Sequence, residues 1–205
     1  MKKILVVDDE KEIVELVENM LKDKYIVIKA YNGEECIKKA RKEMPNLILL
    51  DIMMPEMDGW ETLKKLKEDE KLKNIPVSML TALPLTPLDA KDKPLDKIEN
   101  YIVKPFTKKT LQKKIEEIFE KEKEAEEIYK ELKTKLGEDI AEEYLKIVKS
   151  INRHTRLIEV IIDCATEEFK HSLKNVVASQ KRFINAMKKR AKEIERLLKE
   201  RKDKE

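Results

Sequence analysis

Short apolar runs alternate with amphipathic stretches through the first half of the chain. The apolar runs predict five strands, at Ile4–Val7, Tyr25–Ala30, Leu47–Leu50, Val77–Leu80 and Tyr101–Val103. Runs that are apolar at nearly every position are typical of strands buried on both faces of a parallel sheet. The stretches between them predict helices at Glu10–Leu21, Glu34–Lys42 and 58–69, the last with Asp58 as its N-cap. This alternation indicates an α/β fold with a doubly wound, five-stranded parallel sheet.

The connection between the last two strands does not read as a full helix. Pro84, Pro87 and Pro94 fall within it, and proline interrupts helix interiors and favours extended geometry at the residue before it. We predict an irregular loop from Leu83 to Lys93. At most a short helix follows, beginning at Pro94, because proline is accepted at the first helical position.

The second half of the chain has a different pattern, without proline after residue 107 and with Gly137 as its single glycine. Strong helix formers predict a long helix over 107–136 that ends at Gly137. Apolar stripes predict two more helices, over 139–163 and 167–203. We therefore expect a domain at 1–120 and an all-α helical extension at 121–205.

Two arrangements of the last two predicted helices are open. No proline or glycine separates them, so one helix about 90 Å long is one arrangement. A hairpin at Asp163–Thr166 is favoured, because it buries both apolar stripes within one chain. The three helices remain strongly apolar on one side, which predicts that the extension forms a homodimer.

The amino-acid composition limits the class of protein to which this chain can belong. Of the 205 residues, 42% are charged, and no apolar run approaches the roughly 18 residues of a membrane span. The first residues lack the pattern of a signal peptide. Cys36 and Cys164 fit no metal-binding spacing. We expect a cytoplasmic protein with both thiols buried as small hydrophobes. The abundance of Lys and Glu is typical of hyperthermophilic proteins and predicts a melting temperature above ~60 °C.

Polar residues follow four of the five predicted strands directly. Asp8 and Asp9 follow the first strand, Asp51 the third, Thr81 the fourth and Lys104 the fifth. The carboxyl ends of parallel strands share one edge of the sheet, where ligands bind. Three neighbouring carboxylates require a cation or a raised pKa, and oxygen ligands favour Mg²⁺. Such a site suits phosphoryl transfer, with Asp51 as the nucleophile and with Thr81 and Lys104 contacting phosphoryl oxygens.

Four segments carry a family resemblance: KILVVDDE at 3–10, LILLDIMMPEMDGW at 47–60, VSMLTA at 77–82 and YIVKPF at 101–106. Residues 2 to about 120 resemble the receiver domain of two-component response regulators. The resemblance implies a flavodoxin-like sheet in the order 2-1-3-4-5. It also implies a signalling switch rather than a metabolic enzyme, and a sensor histidine kinase or histidine phosphotransfer protein as the phosphoryl donor.

The resemblance assigns roles to individual residues. Asp51 is the implied phosphoacceptor, and Thr81 and Lys104 are the implied contacts of the phosphoryl group. The implied Mg²⁺ ligands are Asp8, Asp9, Asp51 and the main-chain carbonyl of Met53. Thr81 and Tyr101 are the implied switch pair. Met53 and Leu83 place apolar side chains over the site, from which we predict slow self-dephosphorylation.

The sequence leaves open how the helical extension passes on the signal of the receiver domain. Its favoured role is dimerisation or contact with a signalling partner. Residues 169–192 contain eight Lys and Arg and no acid, so nucleic-acid binding is an alternative, although a solvated helix face is the favoured interpretation.

The chain contains two histidines. His154 lies among isoleucines and is interpreted as a packed core histidine. His171 opens a four-residue string, His-Ser-Leu-Lys, that resembles the core of histidine phosphotransfer domains. Asn175 stands where that family has glycine, so a surface histidine is favoured over a phosphorelay intermediate.

Overall fold

A computed structural model of the chain describes residues 1–82, 94, 97–164 and 174–202. Five parallel strands form one sheet in the order β2-β1-β3-β4-β5. The strands are β1 Lys3–Val7, β2 Ile26–Ala30, β3 Leu47–Asp51, β4 Val77–Thr81 and β5 Asn100–Val103. The helices that connect the first four strands are α1 Lys11–Leu21, α2 Gly33–Glu43 and α3 Gly59–Glu68. The predicted doubly wound parallel sheet and its strand order are confirmed.

The centre of the sheet is buried on both faces. Every residue of β3 and β4 is buried, and so are Ile4–Val7 of β1. This explains why these strands are apolar at consecutive positions, without the alternation of a half-exposed strand. β2 is a sheet edge and is buried only at Ala30.

Side-chain caps fix where two of the connecting helices begin. The Asn32 side chain accepts a hydrogen bond from the Glu35 main-chain N–H at 2.8 Å. Asp58 accepts one from the Glu61 N–H at the same distance. Each cap satisfies a main-chain donor that the first helical turn leaves without a partner. The start of α3 predicted at Asp58 is thereby confirmed.

The connection between β4 and β5 falls mostly outside the described residues. The loop predicted at Leu83–Lys93 lies outside them, and so do the residues that follow Pro94 in the predicted short helix. The Lys97 N–H donates to the carbonyl of Pro94 at 3.0 Å. β5 then pairs with β4 in register, with Thr81 opposite Val103.

The chain divides into two compact units. The first contains Met1–Lys114, and the second contains Ile115–Asp163 and the described chain from Lys174 onward. Three helices follow the sheet in sequence: α4 Lys108–Leu136, α5 Glu138–Cys164 and α6 Lys174–Lys202. Gly137 separates α4 from α5 with φ +98°, a left-handed conformation that favours glycine.

The second unit has its own apolar cluster, drawn from all three of its helices. Leu132 of α4 lies in it with Ala141 and Tyr144 of α5. The contribution from α6 is Ala191, Ile194 and Leu198. The cluster buries one side of each helix, as the apolar stripes of these segments predict.

Contacts between α5 and α6 show that the two helices are antiparallel. Near the start of α5, the Tyr144 hydroxyl donates to Glu195 Oε1 at 2.8 Å. Further along α5, the His154 ring lies 5.2 Å from that of Phe183, which comes earlier in α6. One continuous helix over 139–203 is therefore excluded, because α5 and α6 run in opposite directions. Of the reversal predicted at Asp163–Thr166, Asp163 and Cys164 still belong to α5, and the other two residues lie outside the described residues. No described helix combines the length and apolarity that a membrane crossing requires.

Candidate functional site

Parallel strand pairing brings the polar residues at the strand ends to one edge of the sheet. Val7 pairs with Leu50, so Asp8 and Asp51 follow neighbouring positions on β1 and β3. Both carboxylates are buried: Asp8 is 1% exposed and Asp51 is 3% exposed. Thr81 is fully buried at the end of β4, whereas Asp9 is exposed. The edge therefore holds two carboxylates that are removed from water.

Lys104 supplies the charge that these carboxylates require. Its Nζ donates to Asp8 Oδ2 and to Asp51 Oδ1, each at 2.7 Å. The other oxygens of the pair accept main-chain hydrogen bonds, Asp8 Oδ1 from the Glu10 N–H at 3.1 Å and Asp51 Oδ2 from the Met53 N–H at 2.6 Å. All four carboxylate oxygens are thus held in place from the ends of three strands.

Burial and charge pairing shift the pKa values at this edge. Burial raises the pKa of Asp8, and it outweighs the opposing effect of the hydrogen bond and charge of Lys104. For Lys104, burial is the largest single influence and lowers the pKa. Its hydrogen bonds to Asp51 and Asp8, together with their charges, outweigh burial and leave the pKa raised. Lys104 therefore remains an ammonium at neutral pH.

The donor set fits a hard divalent cation. Asp8, Asp9 and Asp51 together carry three negative charges against the one positive charge of Lys104, which leaves two negative charges at the edge. Carboxylate and carbonyl oxygens are the ligands that Mg²⁺ prefers. Among the described residues, no group of three acidic, histidine or cysteine side chains is gathered as a metal site. Here the Lys104 ammonium lies between two of the acids, and Asp9 points to solvent.

Thr81 and Tyr101 share one face of the sheet. Thr81 pairs with Val103 and Met79 pairs with Tyr101, and in-register residues of parallel strands point the same way. Tyr101 is 3% exposed. The Lys104 N–H donates to the carbonyl of Thr81 at 2.6 Å, and the peptide bond between Lys104 and Pro105 is cis. The β4 and β5 ends are thus tied together beside Asp51.

Gly59 contributes to the site in a way that our sequence analysis missed. A Cβ at this position would lie 2.2 Å from the carbonyl oxygen of Asp51 and 2.9 Å from the Cα of Ile52. The Gly59 N–H also donates to the Ile52 carbonyl at 3.0 Å. Only glycine lets α3 begin this close to the end of β3. The signal was present in the Asp58-Gly59 pair, which we interpreted only as a helix start.

The other residues that the sequence singled out differ in burial, and some lie outside the described residues. Met53 is 62% exposed, while Leu83 lies outside the described residues. His171, the phosphotransfer candidate, also lies outside them. His154 is half-buried, and its Nδ1 is 2.8 Å from the Ser150 carbonyl oxygen. Cys36 is a buried free thiol, as predicted.

Comparison with known families agrees with this geometry. The family model of the response regulator receiver domain matches residues 4–116. The chain belongs to the response regulator receiver family. The matched range includes the strand-end residues from Asp8 to Lys104 and ends within α4. The C-terminal extension is not assigned to a family, so the receiver match says nothing about its role.

Curated relatives share the receiver part of the chain. The alkaline phosphatase synthesis transcriptional regulatory protein PhoP of Bacillus subtilis is 40% identical over 125 residues, which cover 57% of this chain and 48% of PhoP. A probable transcriptional regulator, ycf27, of Pyropia yezoensis is 39% identical over 124 residues, covering 57% of this chain and 46% of that protein. The chain thus spans about half the length of these relatives.

Solved receiver structures superimpose on the same part. The chemotaxis protein CheY4 of Vibrio cholerae is 33% identical with a TM-score of 0.53, covering 57% of this chain and 98% of CheY4. TrrA of Thermotoga maritima, solved in complex with Mg²⁺-BeF, is 34% identical with a TM-score of 0.51. That match also covers 57% of this chain and 98% of TrrA. The comparisons agree with the flavodoxin-like topology and with the magnesium chemistry typical of the family.

Proposed function

We propose that this protein is a phosphoaccepting switch in a two-component phosphorelay, with Asp51 as the phosphoacceptor. The observation that supports this most directly is the Lys104 ammonium, 2.7 Å from both Asp8 and Asp51 at the carboxyl edge of the sheet. A buried carboxylate held between a cation and a main-chain N–H is fixed in orientation. It is thereby ready to attack an electrophile that enters from the solvent side.

The proposed reaction transfers a phosphoryl group from a phosphohistidine of a sensor histidine kinase or histidine phosphotransfer protein. A carboxylate oxygen of Asp51 forms a bond to phosphorus while the phosphorus–nitrogen bond of the donor breaks. The electron pair of that bond stays on the imidazole nitrogen. The product is an acyl phosphate on Asp51, and no oxidant or further reactant is needed. The protein is in this sense a switch that takes part in its own modification, rather than a metabolic enzyme.

The side chains around Asp51 have separate roles in this proposal. Lys104 moves from the carboxylate pair to a phosphoryl oxygen, and the Thr81 hydroxyl donates to another. Asp8, Asp9, Asp51 and the Met53 carbonyl would hold Mg²⁺, which would offset the negative charge of the incoming phosphoryl group. Tyr101, on the same sheet face as Thr81, responds to the movement of Thr81. The proposal includes a cytoplasmic location, in keeping with the buried free thiol of Cys36.

Phosphoryl acceptance is tested with acetyl phosphate and Mg²⁺ on the wild type and on two variants. Asp51→Asn removes the proposed nucleophile, and Asp58→Asn is the matched control because it changes a nearby acid that caps α3. We expect one phosphoryl group on the wild type and on Asp58→Asn, located by mass spectrometry, and none on Asp51→Asn. Equal labelling of the Asp51→Asn variant would refute the assignment.

For the output, we propose homodimerisation through the helical extension. Two large apolar side chains of α6 support it, Phe183 at 51% exposed and Leu197 at 42% exposed. They are fourteen residues apart, about four helical turns, and so lie on one edge of the helix. Exposed apolar side chains aligned in this way are suited to a second copy of the same edge.

Solution mass by light scattering tests this output. We expect a dimer for the wild type and a monomer for Phe183→Glu. Leu16→Glu is the control, because Leu16 is 46% exposed but lies on α1 of the receiver unit. Each protein is measured with Mg²⁺, with and without beryllofluoride, an acyl-phosphate mimic. If beryllofluoride changes the mass of the wild type but not that of Asp51→Asn, assembly depends on phosphorylation of Asp51. A wild type that is monomeric under both conditions would contradict the dimer.

A further inference from the structure

Six basic residues lie on one face of α6, and we call this face the basic stripe: Lys174, Lys181, Arg182, Lys188, Lys189 and Lys192. All six side chains are exposed. At 3.6 residues per turn they fall within an arc of about 120°, and they extend over about 27 Å of helix. The residues between them on this face, Ala178 and Asn185, are uncharged and exposed. The stripe is therefore a continuous line of positive charge.

The cations of the stripe have no counter-ion among the residues that the structure describes. Arg190, outside the stripe, forms an ion pair with Glu143 at 2.8 Å and another with Glu193 at 3.5 Å. None of the six stripe residues forms an ion pair with a carboxylate in the described chain, although Asp and Glu number 42 in the sequence. The positive charge of this face is therefore not neutralised by carboxylates of the described residues.

The stripe lies away from the packed side of its helix. Ile184, Ala191, Ile194 and Leu198 are buried on the opposite side of α6, the last three in the apolar cluster of the second unit. A helix that binds a membrane surface needs an exposed apolar face beside its basic residues. Here the apolar cluster residues of α6 are covered by α4 and α5, and the exposed Phe183 and Leu197 lie well over 90° around the helix from the centre of the stripe. A lipid surface that contacts the stripe would therefore meet charge alone.

We infer that the basic stripe binds the phosphate backbone of double-stranded nucleic acid without reading its sequence. A duplex presents phosphates at regular short intervals along a line, as the stripe presents cations. Five of the six residues are lysines, whose compact ammonium groups contact phosphates but lack the fork that arginine uses on base edges. No aromatic or large apolar side chain interrupts the stripe, and a protein partner would need such an anchor.

The test uses the full-length, unphosphorylated chain and two DNA duplexes of unrelated sequence, each about 30 base pairs long and so longer than the stripe. Fluorescence anisotropy gives the dissociation constant between about 25 and 200 mM salt. The variant Lys181→Gln/Lys188→Gln/Lys192→Gln removes three stripe charges. The matched control, Lys38→Gln/Lys42→Gln/Lys71→Gln, removes three exposed lysines of the receiver unit and causes the same change of net charge.

We expect equal affinity for both duplexes and a logarithm of the binding constant that falls linearly with the logarithm of salt. Each phosphate contact contributes about −0.9 to that slope, so the stripe variant should lose about 2 to 3 from its magnitude and at least about tenfold in affinity at low salt. The control should stay within about twofold of the wild type. Circular dichroism verifies that both variants keep their helix content.

Three results would overturn the inference. One is an absence of DNA binding by the wild type at low salt. Another is an equal loss of affinity in the control variant, which would assign the binding to net charge. The third is tighter binding to vesicles with about 30% phosphatidylserine than to DNA, lost in the stripe variant, which would assign the stripe to a membrane surface.

Discussion

Replacing Gly59 with alanine should damage the proposed phosphoacceptor site through the main chain. The added Cβ would lie 2.2 Å from the carbonyl oxygen of Asp51 and 2.9 Å from the Cα of Ile52. Both neighbours are main-chain atoms, which cannot rotate away as a side chain does. To bring the shorter contact beyond 3.0 Å, the start of α3 and the end of β3 must separate by about 1 Å.

The magnitude of the effect follows from that displacement. Over-packing a close-packed interior costs about 1–3 kcal/mol, and we expect the upper part of this range because the strain falls on two main-chain segments. The shift also moves Asp51 relative to Lys104. A reacting group misplaced by about 1 Å loses on the order of 10²-fold in rate. Stability and phosphoryl acceptance should therefore both fall.

The assay uses Trp60, the single tryptophan of the chain, which is buried and follows Gly59 directly. Its fluorescence reports unfolding of the receiver unit in urea and the binding of beryllofluoride in the presence of Mg²⁺. Gly33→Ala is the matched control. There the added Cβ would meet Thr62 Oγ1 at 2.3 Å and Met57 Sδ at 2.8 Å. These are side-chain atoms, so the clash can be relieved without main-chain movement by rotating Met57 and Thr62, although Thr62 would then lose its hydrogen bond to the Asp58 carbonyl.

We expect Gly59→Ala to lose about 2–3 kcal/mol in unfolding free energy and most of its affinity for beryllofluoride. Gly33→Ala should lose less stability and keep its beryllofluoride affinity. The reasoning is refuted if Gly59→Ala stays within about 0.5 kcal/mol of the wild type and binds beryllofluoride equally well. It is also refuted if both variants lose the same affinity, because the close approach to Asp51 would then be irrelevant.

Three further predictions concern single side chains. Lys104→Met should lose about 3 kcal/mol at pH 7 without divalent cations, because two buried carboxylates are left without a counter-ion, and adding Asp8→Asn should recover most of it. Urea unfolding measures both, and a loss below about 1 kcal/mol contradicts the buried pair. Cys36, whose pKa burial raises to about 12 from 9.0, should resist iodoacetamide at pH 8 until the chain unfolds. Because the thiol ionises more readily in the unfolded chain, this group leaves stability unchanged below pH 9 and lowers it as the pH rises from 9 towards about 12. Peptide mapping that finds rapid Cys36 labelling in the native state would count against the burial of this thiol. Met53→Asn should shorten the lifetime of phosphorylated Asp51, because a polar side chain admits the water that methionine excludes, and an unchanged decay rate would show that Met53 does not shield the site.

The fold and the collection of site residues followed from the sequence because both depend on short-range patterns. Consecutive apolar residues mark a strand buried on both faces, and Leu47–Leu50 is such a strand in the structure. A parallel sheet then requires Asp8 and Asp51 to meet at one edge, whatever their separation in sequence. The cap at Asp58 is equally local, since donor and acceptor lie within one helical turn.

Details that depend on distant parts of the chain could not be obtained in this way. No spacing rule predicts that the Lys104 ammonium bridges Asp8 and Asp51, because three strands must first be placed. The antiparallel contact between α5 and α6 determines which cations find a carboxylate. Arg190 finds Glu143 across that contact, whereas Lys188, two residues earlier, faces solvent. A charge run in the sequence does not distinguish these two cases.

The two proposals for the helical extension use different surfaces of α6, and the helix geometry allows both surfaces to be occupied at once. Phe183 and Leu197 lie on one edge of the helix, while the centre of the basic stripe is rotated from that edge by well over 90° about the axis. A second copy bound at the apolar edge would therefore leave Lys181, Lys188 and Lys192 accessible. It would also supply a second stripe, so that a dimer holds DNA more tightly than a monomer. Phe183→Glu should consequently weaken DNA binding only as far as it dissociates the dimer. Loss of the three stripe lysines should weaken DNA binding with the solution mass unchanged, and a stripe variant that became monomeric would show that the two surfaces overlap.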